Sequence, residues 1–86
     1  MSSLISDLRS QIDAIDDEIV ELLAHRLELA SKIGVIKAQI QRQILDDARE
    51  EEILERLSQK GILRRDQIEM LYRQIFLLTK EIQEEG

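Results

Sequence analysis

The chain has no cysteine, no proline and no tryptophan, and its only aromatics are Tyr72 and Phe76. Without cysteine there are no disulfides and no thiolate metal sites, although this leaves the compartment open. So little aromatic area makes the core of an 86-residue monomer marginal, so a partner is expected. No run of 18 apolar residues occurs, which excludes a membrane-spanning helix. The opening "MSSLISDLRSQID" lacks a basic region followed by an apolar run, so no signal peptide is expected. The net charge of −6 counts against nucleic-acid binding. An acidic chain can still hold an anion, but only with a local cluster of cations.

What is present is Leu, Ile, Glu, Gln, Arg and Lys, the composition of long helices. Length favours one domain, 1–86. Leu8, Ile12, Ile15, Ile19, Leu22, position 26, Leu29, Ile33, Ile36 and Ile40 alternate steps of four and three. This is a heptad seam over about residues 4–41. Such a helix extends about 55 Å at 1.5 Å per residue. A compact domain of this length has a radius of gyration near ~12 Å. The far end of the helix must therefore pack elsewhere, most simply on a second copy of the chain about a twofold axis.

The stretch "RQILD" (42–46) breaks the pattern. A second helix is predicted from Asp47 to Gln59, with Ile53, Leu54 and Leu57 inward and Lys60 and Gly61 closing it. A third starts near Asp66, with Ile68, Leu71, Ile75, Leu78 and Ile82 as its seam. The predicted fold class is all-α: long, short and medium helices joined by short connections.

Two cations fit their places poorly. Arg49 falls in the first turn of the second helix, where Asp46, Asp47 and Glu50 suit the positive end of the dipole and Asp47 with Glu50 reads as a capping box. A cation there is unfavourable by about 0.3–1 kcal/mol. Arg26 occupies the one seam position that is neither Leu nor Ile. A buried charge costs several kcal/mol unless paired. Alone, Arg26 reads as a register-setting polar residue or as an arginine snorkelling to the bundle edge. It has company, however. Lys37 lies eleven residues on, about 20° away on the wheel and ~16 Å along the axis, with Ala30 and Ile33 between. Two cations flanking a small apolar floor suit an anion with two negative groups. Arg9, about 25 Å before Arg26, cannot reach the same small ligand; alone it reads as a solvated surface residue, but it could reach the equivalent site of a second protomer if the long helices cross. Thr79 and Gln83 share a face of the third helix, although either alone reads as a boundary polar residue. His25 reads as a surface residue.

Taken together, "LRSQIDAIDDEIVELLAHRLELASKIGVIK", "DDARE", "ILERL" and "IFLLTKEIQ" resemble the all-helical chorismate mutase family over nearly the whole chain. Eight positions match in order: Arg9, Arg26, Lys37, Asp46, Arg49, Glu50, Thr79 and Gln83. Thr79 stands where the family often has serine, "QRQIL" lacks the family's frequent proline, and "KGILRRDQ" is a short connection.

The resemblance implies an intertwined homodimer in which Arg9 completes the other protomer's site. It implies Claisen rearrangement of chorismate to prephenate in the shikimate pathway, without cofactor or metal, in the cytoplasm. Lys37 and Gln83 would donate to the ether oxygen. Arg9, Arg26 and Arg49 would serve the carboxylates, with Thr79 hydrogen-bonding one of them. Glu50 and the Asp46 backbone would address the ring hydroxyl. Alternatives are an isochorismate–pyruvate lyase, against which the Asp46 and Glu50 pair speaks, a regulatory or partner-dependent module of a shikimate-pathway enzyme, and a helical dimer with no ligand.

Overall fold

The computed structural model describes residues 2–39 and 46–85, with side chains for 3–37 and 48–84. Three helices follow one another: α1 (Ser2–Gln39), α2 (Asp46–Ser58) and α3 (Arg65–Glu85). No strand occurs among the described residues. Each boundary that can be compared lies within a residue or two of its predicted place. Position 40 of the first seam, the break over 42–46 before α2 and the Asp47 half of the capping box lie outside the described residues or side chains.

The α2–α3 connection explains why α2 stops. Gln59 N–H still donates to Glu55 O at 3.0 Å, but Lys60 and Gly61 turn back to Leu57 O and Ser58 O at 3.3 and 3.1 Å. Gly61 has φ 69°, the left-handed conformation that ends helices and that a Cβ would disfavour. At the next start, the Gln67 side chain accepts from the Arg64 N–H at 2.9 Å, satisfying a donor that the helix leaves free. Arg64 also grips Asp66 at 3.0 Å, and this hydrogen bond, first among the causes, lowers the pKa of the Asp66 carboxyl. Arg65 binds Glu69 at 2.7 Å and Glu51 at 2.9 Å, tying the start of α3 to α2.

Helix α3 packs against both α1 and α2. Ala30 of α1, Ile53 of α2 and Ile68 and Phe76 of α3 are buried where they meet. Leu54 and Leu57 are half-buried, as their spacing predicts. The α3 seam is only partly inward. Ile68 is buried and Ile75 and Ile82 are half-buried, whereas Leu71 and Leu78 are exposed in the single chain. Tyr72, Phe76 and Thr79 turn inward with the others, because α3 meets two helices and shows each a different face.

The chain is elongated. It measures 59 × 26 × 16 Å with a radius of gyration of 16.7 Å, against ~12 Å for a compact domain of this length. The excess is the first half of α1, where Leu8, Ile12, Ile15 and Ile19 are each 51–55% exposed. Among the described residues, no helix is long and apolar enough to cross a membrane.

Candidate active site

All three helices line one cavity of about 360 Å³. Helix α1 contributes Arg26, Leu29, Ala30, Ile33 and Lys37, a single stripe at helical spacing. Arg49, Glu50 and Ile53 come from the start of α2, and Phe76, Thr79, Lys80 and Gln83 from the second half of α3. The buried Ala30 makes the small floor expected between Arg26 and Lys37.

Arg26 tolerates its seam position because it is held on two sides. Its Nη1 donates to Thr79 Oγ1 at 2.7 Å, and the guanidinium carbon lies 5.8 Å from the Tyr72 ring centroid. The cation therefore has a hydroxyl acceptor and an aromatic face. Tyr72 leans on Phe76 with centroids 5.6 Å apart. Thr79 in turn donates its hydroxyl proton to Ile75 O at 2.8 Å, which leaves its oxygen lone pairs facing Arg26.

At the other end of the stripe, Gly34 lets α1 approach α3 closely. A Cβ on Gly34 would lie 3.1 Å from both Cα and the carbonyl oxygen of Gln83. That contact brings Gln83 alongside α1 about one turn before Lys37. On α2, Arg49 is exposed and paired with Glu52 one turn later. Glu52 thus offsets the charge of Arg49. Glu50 is half-buried, and its Oε2 lies 3.2 Å from Lys80 Nζ.

Six of the eight sequence-selected residues, Arg26, Lys37, Arg49, Glu50, Thr79 and Gln83, therefore meet in this cavity. Arg9 does not line it. It is exposed on the projecting half of α1. Asp46 opens α2, with its side chain outside those described. His25 is exposed, as expected. Lys80 was missed, although Phe76, Lys80 and Gln83 stand at spacings of four and three, which put them on one face.

Among the described residues, four cations, one carboxylate, a hydroxyl and an amide surround an apolar floor, so this all-helical cavity carries a net positive charge. Residues 8–84 match the family model for chorismate mutase type II, and the chain belongs to that family. It is 38% identical over 77 residues to a bifunctional chorismate mutase/prephenate dehydratase of Aquifex aeolicus, covering 83% of this chain but 21% of that protein. It is 37% identical over 57 residues to a chorismate mutase of Methanocaldococcus jannaschii, covering 66% of this chain and 58% of the other. Among solved structures it resembles the chorismate mutase from Helicobacter pylori in complex with prephenate. The TM-score is 0.88 at 40% identity, over 96% of this chain and 92% of that one. The chain thus spans about a fifth of the Aquifex relative, and nearly all of the Helicobacter protein.

Proposed function

We propose that the protein is a chorismate mutase, rearranging chorismate to prephenate. The observation that carries this reading is the convergence of Arg26, Lys37, Arg49, Glu50, Thr79 and Gln83, drawn from three helices, on one cavity. The Helicobacter relative, similar over almost its whole length, was solved with prephenate.

The reaction is intramolecular. The ether C–O bond breaks as a C–C bond forms, with no nucleophile and no proton transfer. The protein has geometry and charge to supply. Chorismate is a flexible dianion, and the compact conformer has to be held while its two carboxylates are neutralised. Arg26 suits one carboxylate because its fork is already oriented by Thr79 and Tyr72, so little ordering is left to the binding step. Arg49 stands at a helix start where free N–H groups also favour an anion. Its pairing with Glu52 is exposed and easily exchanged for a ligand.

As the ether bond breaks, negative charge grows on its oxygen. Lys37 and Gln83, which line the same cavity, are the donors for it. Donors fixed in advance stabilise the transition state more than the ground state. Glu50 accepts from the ring hydroxyl, and Asp46 adds backbone.

The same reading includes a homodimer. The 51–55% exposure of four large apolar residues in the first half of α1 calls for a partner surface. A crossing second copy would bury them and bring its Arg9 to this cavity. The cytoplasm is the location that goes with this role.

The test is to mix purified protein with chorismate and follow loss of its ultraviolet absorbance, identifying the product, with Lys37→Ala and Arg26→Ala alongside. Prephenate formation that falls by about 10²–10³ in Lys37→Ala supports the assignment. Folded protein without turnover favours a partner-dependent or regulatory module, and release of pyruvate from isochorismate favours the lyase.

A further inference from the structure

We propose that Lys80 is a positioning residue of this site, one that neutralises Glu50 so that a carboxylate can line a cavity built for a dianion. The proposal rests on the mutase reading for the identity of the dianion. The ion pair itself does not.

Among the described residues lining the cavity, Glu50 is the one with a carboxylate. A ligand hydroxyl needs it as an acceptor, yet a ligand with two negative groups is repelled by it. Like charges within a few ångströms disfavour one another, more so as water leaves. Some cation must therefore offset Glu50 without occupying the ligand's own carboxylate positions. Arg26 is directed at Thr79 and Tyr72, and Arg49 at Glu52. Lys80 is directed at Glu50, with Nζ 3.2 Å from Oε2, and it too lines the cavity. The Glu50 side chain is 23% exposed and that of Lys80 is 44% exposed, so a ligand filling the cavity would desolvate the pair further. The pair also joins α2 to α3, which fixes where the carboxylate stands.

The consequence is specific to binding. Bond breaking occurs at the ether oxygen and not at the ring hydroxyl, so the Glu50 contact and its charge balance are alike in ground and transition states. Losing such uniform binding raises KM and leaves kcat.

The experiment compares steady-state chorismate turnover in Lys80→Ala, Lys80→Arg, Glu50→Gln and the double variant Glu50→Gln/Lys80→Ala. Lys80→Ala should raise KM about fivefold with kcat within about twofold. Lys80→Arg should restore KM. In the Glu50→Gln background, adding Lys80→Ala should change KM by less than about twofold, because the charge it balanced is gone. An equal rise in both backgrounds would mean that Lys80 contacts the ligand directly, and would overturn the proposal. So would a fall in kcat alone, or no change. If Lys80→Ala does not fold, Lys80→Gln serves the same comparison. Thermal unfolding of the unmodified protein, Lys80→Ala, Glu50→Gln and their double variant without substrate reads the Glu50–Lys80 coupling independently of turnover. Absence of turnover in the unmodified protein would count against the mutase reading. Absence of coupling would count against the pair.

Discussion

Gly34 and Gln83 meet through the backbone. A side chain on Gly34 would come within 3.1 Å of the Gln83 Cα and carbonyl oxygen, and within 3.3 Å of its Cβ. These are not flexible tips that can swing aside. Any substituent at position 34 moves the helix that carries Gln83.

Gly34→Ala is therefore expected to separate stability from activity. Alanine gains about 1 kcal/mol of helix propensity over glycine, while crowding a packed contact costs about 1–3 kcal/mol. Urea unfolding should show a modest net loss. Chorismate turnover should fall more, by about tenfold or greater, because displacement of a donor by a few tenths of an ångström degrades transition-state contact. Unchanged kcat would mean that Gln83 does not depend on this approach.

Thr79 is the acceptor that steadies Arg26, at 2.7 Å. Thr79→Val keeps the shape and removes the hydroxyl. It should lower kcat/KM by about tenfold, the scale of one hydrogen bond to a charged group. Thr79→Ser, which keeps the acceptor, should stay near the original value. Equal kinetics for the valine and serine variants would show that Arg26 is held by Tyr72 and packing alone.

If Gln83 is the donor to the ether oxygen, it donates through a neutral amide, and activity should not require an acidic medium. In Gln83→Glu the donor exists only while the carboxyl is protonated. Activity should then be highest at low pH and be lost as pH rises through the glutamate pKa. A pH–rate profile of the variant as flat as that of the parent would remove Gln83 from the donor role.

The crossing of Arg9 can be tested by mixing two inactive proteins. Arg9→Ala chains retain Lys37, and Lys37→Ala chains retain Arg9. If each site takes Arg9 from the other protomer, a mixed dimer has one complete site. Random exchange should then recover about a quarter of the original activity. If Arg9 serves its own chain, no mixed dimer has a complete site and the mixture stays inactive. Ile15→Asp, on the exposed seam, should lower the apparent mass in sedimentation by disrupting assembly.

Much of this architecture is written locally. Three-four spacing of Leu and Ile defines α1 and α3, and Gly61 marks the end of α2 by the positive φ that it adopts. The sequence also marked the cations out of place. Arg26 interrupts a seam and Arg49 opposes a dipole, and each such cost calls for a partner. Six residues picked on those grounds and on resemblance do share a cavity.

What the spacing left open is which neighbour each face would meet. Both Leu71 and Phe76 lie on apolar stretches of α3, but only Phe76 is buried, because that depends on how α1 and α2 lie across the helix. The same holds for Gly34 against Gln83 and for Lys80 against Glu50, contacts between residues 49 and 30 positions apart. Helical periodicity is a property of one segment, set by 3.6 residues per turn. Contacts of that range depend on the angle and separation between helices, and these follow from packing all three together. The sequence alone determined the three helices and the cations that needed partners. The tertiary structure decided which partners they found.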